Sequence, residues 1–166
     1  MSSYTSIWLE DFEAGQHAVY GDYHFTREAV IEYAKKYDPQ AFHLDDEAAA
    51  GTYFGKLAAS GWHTASACMK LLAQYHFSLR DAAAARGDPL PALGPSPGFE
   101  NLQWNRPVYP GDTVTVGGTI TGARKMKSRP GWGLVTLTPH GHNQHGDKVI
   151  SYDSTVMFAC RGNTGT

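Results

Sequence analysis

Asp38 and His43 stand five residues apart in the stretch YDPQAFH, and Ser60-Gly61 follows at the head of a long apolar run. A carboxylate, an imidazole and the N-terminus of a helix are the parts of a general acid/base site with an oxyanion hole. The histidine ring titrates near neutrality and can take a proton from water. The first N–H groups of a helix lack internal partners and lie at the positive end of its dipole, so Gly61 N–H could face a developing oxyanion. On spacing alone, plainer readings of Asp38 and His43 are favoured, since an acid and a histidine five residues apart are common by chance. Asp38 could be a helix-stop residue bonded to nearby backbone, His43 a loop histidine, and Gly61 a packing glycine. What the flanking elements do decides between them.

Upstream, Thr26 is suited to cap a helix, with Glu28 in its first turn. Ala29, Val30, Tyr33, Ala34 and Tyr37 recur at helical spacing behind it. Pro39 ends that helix and holds Asp38 outside the α region. Asp45 or Asp46 can cap a second short helix, DEAAAGTYFG, that closes at Gly55. Ser60 serves first as the N-cap of the next helix. From Ser60 to Phe77 the chain is apolar nearly all round, which predicts a central helix surrounded by protein. RDAAAARGDPLPALGPSPG then reads as a helix tail and a long loop.

Everything after that loop reads as strand. FENLQWNRPV, TVTVGGTITGARKMKS, LVTLTPHGHN and KVISYDSTVMFAC are separated by Pro/Gly turns, which predicts an antiparallel meander. With the early strand HAVYGDYHF and an extended lead-in over residues 4–15, the order predicts an α+β class. A sheet wrapped on one buried helix, in a single domain over residues 1–166, follows from that order.

Composition excludes several function classes. The 166 residues carry a net charge of -2, which offers no electrostatic case for nucleic acid or an anionic membrane. The opening residues lack the pattern of a secretory signal, and no window has the ~18–20 apolar residues of a membrane span. The two cysteines, Cys68 and Cys160, have no metal or redox spacing and are expected as buried thiols in a reducing, cytoplasmic setting. His140, His142 and His145 invite a metal reading, but no carboxylate or cysteine completes the set, so a solvated hairpin tip is expected. His63 and His76 are expected to be structural, and Arg124, Lys125, Lys127 and Arg129 a solvated strand end.

DPQAFH resembles the D-x-N-P-x-H signature of MaoC-like dehydratases and (R)-specific enoyl-CoA hydratases. FGKLAASGWHT resembles that family's approach to its core helix, and NRPVYPGD and NQHGDKV its later turns. The resemblance implies a hot-dog fold, a homodimer, and hydration of trans-2-enoyl thioesters or the reverse dehydration of 3-hydroxyacyl thioesters. It implies Asp38 and His43 as the catalytic pair and Gly61 as the donor to the thioester oxygen, with Gln40, Ser60 and Trp62 expected against the substrate. No metal or redox cofactor is expected, and CoA enters as part of the substrate, with an acyl-carrier handle as the other option. Gln40-Ala41 departs from the family's Asn-Pro, with the proline moved up to Pro39, and Ser60 stands where the family often has His. A hot-dog thioesterase and a non-catalytic hot-dog subunit are the competing expectations, since fold alone does not choose chemistry.

Overall fold

A computed structural model describes residues 3–164. Thr26 Oγ1 accepts from Ala29 N–H and opens α1 (Arg27–Tyr37). Two short helices follow, α2 (Ala41–Leu44) and α3 (Asp46–Ala50), and then the 25-residue α4 (Gly61–Ala85). The strands are β1 (His17–His24), β2 (Gly98–Trp104), β3 (Thr113–Lys125), β4 (Trp132–His142) and β5 (Lys148–Ala159). They form one antiparallel sheet in the order β1-β3-β4-β5-β2.

The sheet curls on α4 because alternate residues of its long strands are apolar and point to one face. Val114, Val116 and Ile120 of β3, Val135 and Leu137 of β4, and Ile150 and Tyr152 of β5 are buried against Ala67, Cys68, Leu71 and Leu72 of α4. This is the hot-dog arrangement, α+β, with one long helix in the grip of an antiparallel sheet.

Several expectations need correcting. The short second helix ends at Ala50, not Gly55, and His43 lies in a separate one-turn helix, α2, where a plain break was expected. The lead-in contains a single 3-10 turn, Leu9–Asp11. The meander holds only for β3-β4-β5, because β2 crosses over to pair with β5. Most consequentially, α4 is not covered all round: Trp62, Met69 and Phe77 are about half exposed along one side. Cys68 and Cys160 are buried free thiols. Among the described residues no helix is long and apolar enough to cross a membrane.

Candidate active site

Asp38 is the C-cap of α1, with φ -152° and ψ 67°, outside the helical region as Pro39 requires. Its backbone carbonyl accepts from Gln40 N–H at 2.8 Å, a tight turn that delivers the chain into α2. His43 follows in α2 and is buried at 5% exposure. The extended segment before α4 is clamped to α2 by two bonds. Ala58 N–H donates to Phe42 O at 3.0 Å, and His43 Nδ1 lies 2.7 Å from Ala58 O. Ala59 N–H donates to Val108 O at 2.8 Å, tying the same segment to the chain before β3.

That clamp settles the histidine tautomer. A carbonyl oxygen only accepts, so Nδ1 must carry the proton and the neutral ring presents its lone pair at Nε2. Nε2 points at Asp38 Oδ2, 3.4 Å away. At 3.4 Å the two acceptors are too near for a water to sit on the line between them, but a water entering from the cleft can donate to both and relieve their repulsion.

Both oxygens of Asp38 are engaged. Oδ2 accepts from Ser60 Oγ at 2.6 Å and Oδ1 from Gln40 Nε2 at 2.7 Å. Partial burial works to raise the Asp38 pKa, but the two hydrogen bonds and the neighbouring imidazole outweigh it and hold the carboxyl below its ordinary value. Asp38 is thus a carboxylate near neutral pH. Ser60 also accepts from Trp62 N–H at 3.2 Å, capping α4 as expected. Fully buried and with its hydroxyl committed to Asp38 and the cap, Ser60 stands behind the carboxylate; it is not in the wall of the cleft.

Asp38, Gln40, His43, Gly61 and Trp62 meet on a cleft of about 480 Å³ that also takes in Tyr53, Trp104 and Arg106. Gly61 is the first residue of α4, so its N–H has no partner inside the helix. A side chain there is impossible as the chain stands. A Cβ would lie 2.5 Å from the Trp104 indole, whose Nε1 donates to Gly61 O at 2.8 Å. Trp104 also meets Trp62 edge-on at 5.3 Å. Sequence reasoning missed Trp104 and the Ala58 carbonyl. The tryptophan's position just ahead of NRPVYPGD was the available signal, while no residue type marks a backbone carbonyl.

The remaining histidines are elsewhere. His63 stacks on Tyr33 at 4.6 Å and meets Tyr23 Oη at 3.1 Å, while burial pushes its pKa down to about 4. His140 stacks on His17 across the bare Gly117. His145 lies beside Gln144. Among the described residues, no three His, Cys, Asp or Glu side chains come together in a way that could hold a metal ion.

The MaoC like domain family model matches residues 11–138. The chain's fold is similar to that of a MaoC-like dehydratase from Rhodospirillum rubrum, with 33% identity and a TM-score of 0.78 over 94% of this chain and 99% of that one. It is also similar to the (R)-hydratase from A. caviae involved in PHA biosynthesis, with 25% identity and a TM-score of 0.65 over 89% and 97%. A mesaconyl-CoA hydratase from Cereibacter sphaeroides shares 38% identity over 64 residues, which is 39% of this chain and 18% of that protein.

Proposed function

This chain belongs to the MaoC-like domain family, whose relatives include hydratases and dehydratases, and we propose that it hydrates trans-2-enoyl thioesters and catalyses the reverse dehydration of 3-hydroxyacyl thioesters. The observation that carries the reading is the Nε2 lone pair of His43 facing the Asp38 carboxylate at 3.4 Å on the cleft that Gly61 lines.

A water on the cleft side of the pair donates one hydrogen to His43 Nε2 and the other to Asp38 Oδ2. As its oxygen attacks C3, His43 takes the proton, and electron density moves through C2 to the carbonyl oxygen. Gly61 N–H, reinforced by the α4 dipole, opposes that growing negative charge; one such donor is typically worth ~3 kcal/mol. Protonation of C2 completes the addition, with the proton returning from the imidazolium or through Asp38. The bond to Ala58 O keeps the ring aimed throughout. The scheme uses only the chain's own groups and an acyl thioester carried on CoA or a carrier protein.

Crotonyl-CoA tests it, with the enoyl absorbance and free thiol followed separately. Loss of the enoyl band without thiol release is expected. Thiol release with the enoyl band intact overturns the hydratase reading in favour of a thioesterase.

A further inference from the structure

Gly61 is held from both sides, and Trp104 supplies one of the holds. The peptide that follows Gly61 is fixed at both ends. Its oxygen accepts from Trp104 Nε1 at 2.8 Å, and its N–H, that of Trp62, donates to Ser60 Oγ at 3.2 Å. The peptide that precedes Gly61 is fixed at its oxygen, which accepts from Thr64 N–H at 3.2 Å. The N–H of that peptide is Gly61's own, the end left free where the chain lines the cleft. Glycine has the freest backbone of any residue, so a glycine that must aim an N–H needs its peptides fixed by other groups. The indole also occupies the space in which a Cβ would stand.

The indole reaches Gly61 because β2 is bulged. Phe99 and Trp104 are five positions apart and would lie on opposite faces of an unbroken strand. Both nevertheless stand opposite buried residues of β5, Ser154 and Ile150, which share the inner face. The register accounts for this: three steps of β2, from Glu100 to Gln103, are set against two of β5, from Asp153 to Ser151. One extra residue turns every later side chain to the other face. Asn101, inside the bulge, has φ 53°, and among the described residues no other non-glycine residue has a positive φ. Its side chain donates to Asp153 Oδ2 at 2.8 Å, while Asp153 Oδ1 accepts from Thr138 Oγ1 at 2.7 Å. A left-handed residue is a local strain, and strain of this kind collects at functional sites. Here it delivers a tryptophan that stays 45% exposed, so core packing is a weak reason for it.

We propose that Trp104 is a positioning residue, which fixes the Gly61 peptides so that the Gly61 N–H meets the thioester oxygen, and that the bulge at Asn101 is what aims it. The proposal rests on the hydratase reading above. It makes the oxyanion donor a joint product of α4 and the end of β2.

The test sets Trp104→Phe, Asn101→Val and Asn101→Gly beside the unaltered protein. Trp104→Phe keeps a ring and loses the N–H. Valine resists a positive φ, whereas glycine adopts it freely. Two quantities are read: kcat and KM for crotonyl-CoA, and the infrared carbonyl stretch of bound butyryl-CoA labelled with ¹³C at C1. The saturated thioester does not react, and a hydrogen bond to its carbonyl lowers the stretch. In Trp104→Phe and Asn101→Val the stretch is expected to return toward that of free butyryl-CoA. With it kcat should fall ~10-fold or more, part of the ~10²–10³ that one oxyanion donor supplies, and KM should move less. Asn101→Gly should keep kcat and the stretch close to the parent's. Trp104→Phe leaves β2 itself unaltered, so it decides the role of the indole even if Asn101→Val unfolds.

A Trp104→Phe protein with a raised KM, parent-like kcat and an unmoved stretch overturns the proposal, because the indole is then only a wall of the cleft. Crotonyl-CoA is still hydrated in that case, so the hydratase reading stands. A parent that lowers the carbonyl stretch without hydrating crotonyl-CoA, with the lowering lost in Trp104→Phe, sinks the hydratase reading and leaves Trp104 in its role. An Asn101→Val protein with the parent's rate and stretch overturns the part given to the bulge.

Discussion

Replacing Ser60 by Ala should separate what holds the helix from what holds the carboxylate. The Ser60 hydroxyl has two bonds to lose: it donates to Asp38 Oδ2 at 2.6 Å and accepts from Trp62 N–H at 3.2 Å. Losing an N-cap side chain costs ~1 kcal/mol, and losing a hydrogen bond to a charged group ~1.5–3 kcal/mol. Ser60 is fully buried, so solvent does not readily replace it. The expected loss at neutral pH is therefore ~3 kcal/mol, which for a chain of this size is a fall in Tm of ~6–12 °C.

The carboxylate part of that loss depends on charge. Asp38 is held below its ordinary pKa in the folded chain, so it contributes stability above the unfolded value, near 3.8, and loses it as pH falls through the folded value. Ser60→Ala removes part of that depression. The difference between variant and parent should then shrink toward the ~1 kcal/mol of the cap alone when Asp38 is neutral. Asp38→Asn gives the same neutral state at pH 7 without acid. Urea unfolding of the parent, both single variants and the double variant measures the coupling, expected at ~1 kcal/mol or more. The acid limb of the hydration rate should move to higher pH in Ser60→Ala. A Ser60→Ala cost that is the same in the parent and in the Asp38→Asn variant, with an unmoved acid limb, would refute the assignment of Ser60 as the group that positions Asp38.

His43→Asn can keep an N–H donor for Ala58 O but removes the basic lone pair, so hydration should fall ~10²–10⁴-fold with a far-UV spectrum like the parent's; parent-like turnover would exclude His43 as the base. Gly61→Ala drives a methyl into the Trp104 indole and should cost ~1–3 kcal/mol in urea unfolding. Adding Trp104→Ala should recover part of that, so additive losses would contradict the contact. Burial holds His63 down to about 4 from an ordinary 6.5, so the unfolded chain takes its proton first and stability is lost as pH falls from 6.5 toward 4. The loss should be ~2 kcal/mol by pH 5, and His63→Phe should flatten that part of the stability curve; an unchanged slope in acid unfolding titrations counts against the shift.

The sequence was informative where local chemistry decides the outcome. Thr26, Pro39 and Ser60 mark helix ends through their own side chains or ring, and the long strands announce themselves by alternation. It was less informative where contacts distant in the chain decide. Nothing in AFHL calls for a helix; that single turn persists because Phe42 O and the His43 ring are both tied to Ala58. The placement of β2 beside β5, and of the Trp104 indole over Gly61 from 43 residues away, leaves no periodic trace. The open face of α4 was hidden for a different reason. An apolar side chain facing an open surface looks, in sequence, like one facing the core.

The departure from the Asn-Pro pattern can be weighed in the same terms. The pair needs a carboxylate that stays ionised and an imidazole of fixed tautomer, and neither requirement falls on Ala41. Pro39 already sets the backbone that carries Asp38 out of α1, so a proline ring at position 41 is not needed for that turn. Gln40, with its longer side chain, reaches back to Asp38 Oδ1 at 2.7 Å and leaves Oδ2 to Ser60. His43 owes its tautomer to Ala58, whose own N–H is held by the Phe42 backbone carbonyl, so neither tie depends on the side chains at positions 40 and 41. The substitutions therefore fall on positions whose tasks other residues perform, and the acid, the base and the open helix end stay in mutual reach.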